Sequence, residues 1–281
     1  KPESSLCPTS VMLDRPHIIY NRMTGKYVCW MKIMHKDGVQ TETVMTADNI
    51  LGPYEMVKEG LRPLGMSAGD FDLAVAPDGK AYYYFERVHS ETICADLTAD
   101  YTDVTGYYST HFPHPYPPYV REATAHFVRK NKHYLVTSGT TGYLPNPSEV
   151  AVGDSWHGPY TVLGNPHPED RSNTSYHSQI SSVFKVQGKK DLYIACADRW
   201  LPESMEQKYE DYAKLYEAMF NPESDIDWKE LEKEHPKDIS GNTSIADYIW
   251  LPLRFEEPSA EHPLGMVYID WLDEWRIEDY E

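Results

Sequence analysis

The sequence predicts an all-β fold of β-propeller type, and three observations carry that expectation. The first is a recurring pair of short strands joined by turn residues. Arg15–Asn21 precedes Thr24–Trp30, Asp70–Val75 precedes Asp78–Phe85, and Glu122–Val128 precedes Asn131–Val136, while a fourth copy opens at Gln179. Thr-Gly, Asp-Gly and Lys-Asn at the junctions favour tight hairpins with positive φ at their tips. The second is a downstream repeat: the 47–57 segment ADNILGPYEMV resembles GDSWHGPYTVL at 153–163, with a looser copy at 94–104. These read as outer strands. The third is spacing, because the polar residues that open the first strands, Arg15, Asp70, Glu122 and Gln179, stand 55, 52 and 57 positions apart. That period suits one four-stranded blade per step and would bring equivalent positions round one pocket.

Composition narrows the function classes. At 281 residues the chain is long enough for a sizeable core and is read as a single domain over 1–281. With 22 Tyr and 7 Trp it is rich in residues that suit strands and sugar-stacking surfaces. A formal charge of -18 opposes binding to nucleic acid. Charges scattered through the chain leave no apolar run long enough for a membrane span. Cys7, Cys29, Cys94 and Cys196 show neither paired spacing nor the density of a disulfide scaffold, so free thiols are expected. A mature chain would have shed any leader, and export to a secreted or periplasmic location is the favoured expectation.

One segment breaks the strand pattern. Between Glu203 and Glu234 the residues Met205, Tyr209, Tyr212, Leu215, Tyr216 and Met219 follow helical spacing, and Trp228 and Leu231 precede Pro236. A helical insertion within 203–240 is expected, either walling the pocket or capping an edge.

The chemistry-bearing residues point away from several mechanisms. The histidines show no HExxH or paired Cys/His spacing, so no metal centre is expected. Neither a Gly-x-Ser-x-Gly elbow nor a glycine-rich phosphate loop occurs. Carboxylates remain. Asp70 and Glu122 open adjacent first strands, and a carboxyl pair at a pocket is what glycoside hydrolysis needs. Glu122 protonated by burial would serve as acid beside an ionised Asp70.

Seven ordered segments then resemble glycoside hydrolase family 43: Arg15–Asn21 with Thr24–Met31, Asp70 before Pro77–Tyr82, Arg121–Ala125, Thr137–Tyr143 with Pro145-Asn146, Ser178-Gln179, Ala197–Trp200 and Tyr248–Leu253. The chain is most similar to the branch of exo-β-1,3-galactanases and related arabinofuranosidase-like enzymes. The resemblance implies a five-bladed propeller that inverts the anomeric centre, of which this chain covers about four blades, the first being missing or supplied by a second chain or segment. It implies an exo-acting enzyme releasing terminal galactose or arabinose from plant-type polysaccharide side chains. Glu122 matches the general acid, Asp70 the carboxylate that modulates it, and Gln179 a residue that positions water. For inversion, Gln179 is expected about 6.5–9.5 Å from the acid carboxyl.

Arg15, Tyr143, Arg199 and Trp200 are the expected substrate contacts. Where the branch carries a Glu this chain has Val88, and Glu86, two residues earlier on the same strand face, is the substitute. No cofactor is required, a structural Ca2+ on the propeller axis being an alternative, and the partner is an oligosaccharide or polysaccharide. The competing expectation is a non-catalytic propeller that binds a glycan.

Overall fold

The computed structural model describes residues 12–199, 208–233 and 246–281. The chain divides into two compact units, 1–113 and 114–281, and each holds two antiparallel four-stranded sheets among its described residues.

In the first unit, β1 (Met12–Asn21), β2 (Lys26–Met34), β3 (Gln40–Ala47) and β4 (Glu55–Leu61) pair in chain order. A second meander follows with β5 (Ala68–Val75), β6 (Ala81–Arg87), β7 (Glu91–Leu97) and β8 (Val104–His111). The glycines of the expected turns do what such turns require: Gly25 and Gly79 take φ of +70° and +87°. Apolar residues of both sheets, among them Val28, Trp30, Phe71, Tyr83 and Phe85, form one core. Burial follows strand position. β6 is buried on both faces except at Arg87, whereas β4 is almost wholly exposed or half-exposed.

In the second unit, β9 (Glu122–Arg129), β10 (Lys132–Ser138), β11 (Glu149–Gly153) and β12 (Tyr160–Gly164) form the third sheet. Lys130 and Asn131 make its two-residue turn, both with positive φ, so the hairpin anticipated at Lys-Asn has the geometry that matches strand twist. The fourth sheet comprises β13 (Gln179–Lys185), β14 (Tyr193–Arg199), β15 (Asp247–Glu256) and β16 (Met266–Ile269). Phe127, Val136, Val183, Tyr193 and Leu251 belong to the core that joins these two sheets.

All four sheets are therefore meanders in blade order, and the chain is an all-β protein of the propeller class with four blades among its described residues. The duplicated outer segment is also explained. Residues 48–54 and 154–159 are equivalent turns between third and fourth strands, each containing a cis Gly-Pro bond. Between β14 and β15 the expected helices occur as α1 (Tyr209–Phe220) and α2 (Trp228–Glu232). Trp200, Met205 and Pro236 lie outside the described residues. Cys29, Cys94 and Cys196 are free thiols, as anticipated, while Cys7 is also outside the described residues.

Register irregularities recur near the start of every first strand, between Asp14 and His17, Ala68 and Phe71, Val136 and Ser138 opposite Glu122, and Ile180 and Ser182. Such bulges re-aim side chains and are common beside functional sites. Arg15 and Ala123 take φ of +53° and +51° within these stretches. The polar residues picked out by the repeat thus sit at, or next to, a local break in the ladder of their own sheet.

Candidate active site

Two polar constellations are built from these positions, one in each unit. In the first, Asp70 on β5 is surrounded by cations. Arg15 Nη2 lies 3.0 Å from Asp70 Oδ2 and Lys32 Nζ 2.5 Å from Asp70 Oδ1, with all three side chains no more than 12% exposed. Asp14 completes the group 3.6 Å from Lys32. Burial by itself would raise the Asp70 pKa, but the charges of Arg15 and Lys32, and their hydrogen bonds, hold its carboxyl far below the usual carboxylate range. Lys32 responds in kind: burial works against its charge, and Asp70 and Asp14 keep it above its ordinary value.

Two further carboxyls adjoin this group. Glu86 on β6 is 2% exposed, and its Oε1 accepts the His89 backbone N–H at 2.6 Å. Residue 69 is glycine because a Cβ there would collide with the Glu86 carboxylate. Burial, reinforced by the Asp70 charge and opposed by His89 N–H and Lys32, pushes Glu86 up to about 7. Glu42, wholly buried on β3 and the register partner of Lys32, accepts Tyr83 Oη at 2.8 Å. Burial raises it well above the carboxylate range, with Tyr83 and Lys32 opposing.

The sign for Glu86 follows from linkage. A carboxyl raised on folding stabilises the folded state below its unfolded value, and that contribution disappears as pH rises through its folded value. Wild-type stability is expected to fall by about 3 kcal/mol between the ordinary carboxylate value and pH 8 on this account. Glu86→Gln should flatten that part of the thermal-midpoint profile. An unchanged slope would show that another group titrates.

In the second unit Glu122 is the first residue of β9 and Gln179 the first of β13. Gln179 Nε2 donates to Ser138 Oγ at 2.8 Å and to Glu122 Oε1 at 3.4 Å. Ser138 is the register partner of Glu122 on β10, so the pairing of two sheets delivers three polar groups to one place. The contact corrects the expected spacing of 6.5–9.5 Å: the amide touches the carboxylate directly. The physical reason is that the packing of β13 on β9 brings an amide donor within reach of a carboxylate acceptor. Next to Glu122, Arg121 is buried and spent on scaffolding, its Nε 3.0 Å from Thr137 Oγ1 and its Nη2 2.8 Å from Thr137 O.

The loop after β10 is fixed by Asn146, which donates to Gly139 O at 2.8 Å and Thr141 Oγ1 at 2.7 Å and accepts Gly139 N–H at 2.6 Å. Tyr143, half-buried, lies in this loop. Helix α1 packs on the same loop: Tyr212 Oη donates to Pro145 O, and Tyr216 Oη covers Gly142. Burial pushes the Tyr216 phenol up to about 12, with the Glu122 charge adding to it.

Arg199 follows Asp198, the register partner of Gln179, but its guanidinium donates to Tyr176 O at 2.8 Å and stacks on Trp271 at 4.9 Å. Trp200 lies outside the described residues. The sequence reading missed Lys32, Glu42 and Ser138. A lone charged residue inside an apolar strand, as in Trp-Met-Lys-Ile-Met, was the available signal for Lys32. Among the described residues no group of three or more His, Cys, Asp or Glu is placed to hold a metal ion, and no helix is long and apolar enough to cross a membrane.

Comparison with known proteins places these features in context. Residues 16–212 match the family model for glycosyl hydrolases family 43. Among solved structures, a family 43 β-1,3-galactosidase is 26% identical with a TM-score of 0.73, covering 96% of this chain and 48% of that one. A second β-1,3-galactosidase of the family, solved with galactodeoxynojirimycin, is 22% identical with a TM-score of 0.73, covering 99% of this chain and 80% of that one. An exo-β-1,3-galactanase from Clostridium thermocellum is 21% identical with a TM-score of 0.66, covering 97% and 55% respectively. The chain thus spans about half the length of the first of these structures. No match was found among curated proteins.

Proposed function

Because the chain belongs to glycosyl hydrolase family 43, we propose that it is an exo-acting hydrolase that releases terminal galactose from β-1,3-linked galactan side chains with inversion. The observation that carries this reading is the Glu122–Gln179 pair, a carboxyl and an amide brought together from two sheets with Ser138 as their third member. Glu122 is the general acid that protonates the departing oxygen. Gln179 orients the attacking water. An amide has no lone pair basic enough to take the water proton at neutral pH, so that proton leaves through solvent.

Gln179 Nε2 lies 3.4 Å from Glu122 Oε1. Single displacement needs the sugar and a water between the two groups, so substrate binding would have to break this contact. Asp70 matches the modulating carboxylate of the family motif, a part that calls for a permanent anion, and the Arg15 and Lys32 ion pairs keep it one. Arg15 is committed to Asp70, which makes it a support for that anion more than a sugar contact. The same holds for buried Glu86, tied to His89. Tyr143 is retained as a substrate contact.

The test is hydrolysis of β-1,3-galactobiose, β-1,3-galactan and an aryl arabinofuranoside, followed by chromatography of released monosaccharide. Galactose from the first two is the expected outcome. Arabinose alone would move the specificity to the arabinofuranosidase-like relatives, and glycan binding without turnover would establish a non-catalytic propeller.

A further inference from the structure

The segment that leads into β13 has a backbone found nowhere in regular strands or turns. Ser175, Tyr176 and His177 take φ of +57°, +59° and +57° in succession, with Asn173 at +56° two residues earlier. L-residues visit this left-handed region singly, and a run of three persists only where its surroundings over-determine it. Gln179 follows the run by two residues.

Asp170 supplies most of the restraint. Its Oδ2 accepts the backbone N–H groups of Thr174 at 2.7 Å and Tyr176 at 3.0 Å, while Oδ1 accepts Ser172 N–H at 3.1 Å and the Ser172 hydroxyl. Thr174, fixed in this way, passes the restraint on. Its Oγ1 accepts His177 N–H at 3.0 Å and its carbonyl accepts Ser178 N–H at 3.2 Å. Burial works to raise the Asp170 pKa, but the hydrogen bonds from Ser172, Tyr176 and Thr174 outweigh it and hold the carboxyl below its ordinary value.

The run is also stitched to the elements on either side of Gln179. Ser175 Oγ donates to Asn146 O and accepts Ser148 N–H, both at 2.8 Å. Asn146 is the residue that fixes the 139–141 loop, and Ser138, which accepts from the Gln179 amide, immediately precedes that loop. On the β14 side, Arg199 Nη2 donates to Tyr176 O at 2.8 Å, and its neighbour Asp198 is the register partner of Gln179.

We propose that Asp170 is the positioning residue for Gln179: by holding 175–177 left-handed it sets the direction in which the chain enters β13 and delivers the amide to Ser138 and Glu122. This rests on the reading of Gln179 as the group that orients water. A residue acting in this way changes the placement of the water and leaves the grip on the sugar alone.

The experiment measures kcat and KM on β-1,3-galactobiose and on a nitrophenyl β-galactoside for Asp170→Asn, alone and combined with Gln179→Ala or His177→Gly. Asparagine keeps the shape of Asp170 but has one acceptor oxygen, so a backbone N–H that the carboxylate now satisfies is left facing an NH2 group. The expected result is a fall in kcat of roughly 10- to 100-fold on both substrates, since the water must be placed whatever group leaves, with KM changed less than about threefold. In the Gln179→Ala background the same substitution should cost less than about twofold, there being no amide left to misplace. In the His177→Gly background the loss should shrink by about threefold or more, because glycine adopts positive φ without restraint. Should Asp170→Asn not fold, Ser175→Ala, which cuts the bonds to Asn146 and Ser148, gives the same loss in kcat at a smaller amplitude and again only while Gln179 is present. A loss carried by KM, or one undiminished without Gln179, would overturn the inference and leave Asp170 a purely structural residue. A wild-type protein that cleaves neither substrate would overturn the proposed function and the inference with it, whereas an active wild type in which the Asp170 and Gln179 losses add removes the inference alone.

Discussion

Replacing Glu122 with Gln is expected to lower kcat for β-1,3-galactobiose by about 10³-fold while costing an activated aryl galactoside roughly tenfold or less. The difference follows from what the acid does. A sugar alkoxide is a poor leaving group and needs its oxygen protonated as the bond breaks, whereas a nitrophenolate departs with little help. Glutamine preserves the volume of Glu122 and its contacts with Gln179 and Ser138, so the β9–β13 junction should survive. A polar amide at this position has no proton of suitable acidity to transfer. Equal losses on both substrates would assign Glu122 to binding or positioning and would leave the acid unidentified.

The second large effect is on stability. Asp70→Asn removes the carboxylate to which both Arg15 and Lys32 are paired and leaves the two buried cations in place. Removing one member of a buried ion pair costs about 3–5 kcal/mol because the opposite charge stays desolvated and unpaired. For a chain of this size that is a fall in thermal midpoint of about 10 °C. Combining Asp70→Asn with Lys32→Met should recover part of the loss, because the cation that suffers from the missing carboxylate is then absent too. The pH dependence separates this group from Glu86. A carboxyl lowered on folding contributes fully above its unfolded value and loses its contribution only as pH falls through the folded one, so Asp70 supports the fold throughout the neutral range. A midpoint change of less than about 2 °C in Asp70→Asn would contradict a buried charge network.

Much of the fold was legible because propeller blades repeat their own chemistry. Thr24-Gly25, Asp78-Gly79 and Lys130-Asn131 carry turn signals local to the chain, and all three sit between the first two strands of a sheet. The 55-, 52- and 57-residue steps found the first strands for the same reason. Pairing across strands was not legible. Glu42 reaches Tyr83, and Lys32 reaches Asp70, only through the register of separate strands, which no local pattern records. The Gln179–Glu122 contact shows a different limit. Family motifs identify residues by type and order, but the distance between two side chains is set by how their strands pack. Tyr216 was visible as part of a helical stripe, yet its contact with Gly142 depends on the loop held by Asn146.

The central claim is that Glu122 and Gln179 act from opposite sides of one sugar, and the anomer first released tests it most directly. Proton NMR of β-1,3-galactobiose hydrolysis, recorded before mutarotation, should show α-galactose accumulating first, as a single displacement by a Gln179-held water requires. Initial release of β-galactose would mean two displacements through a covalent intermediate and would contradict the roles assigned to both residues.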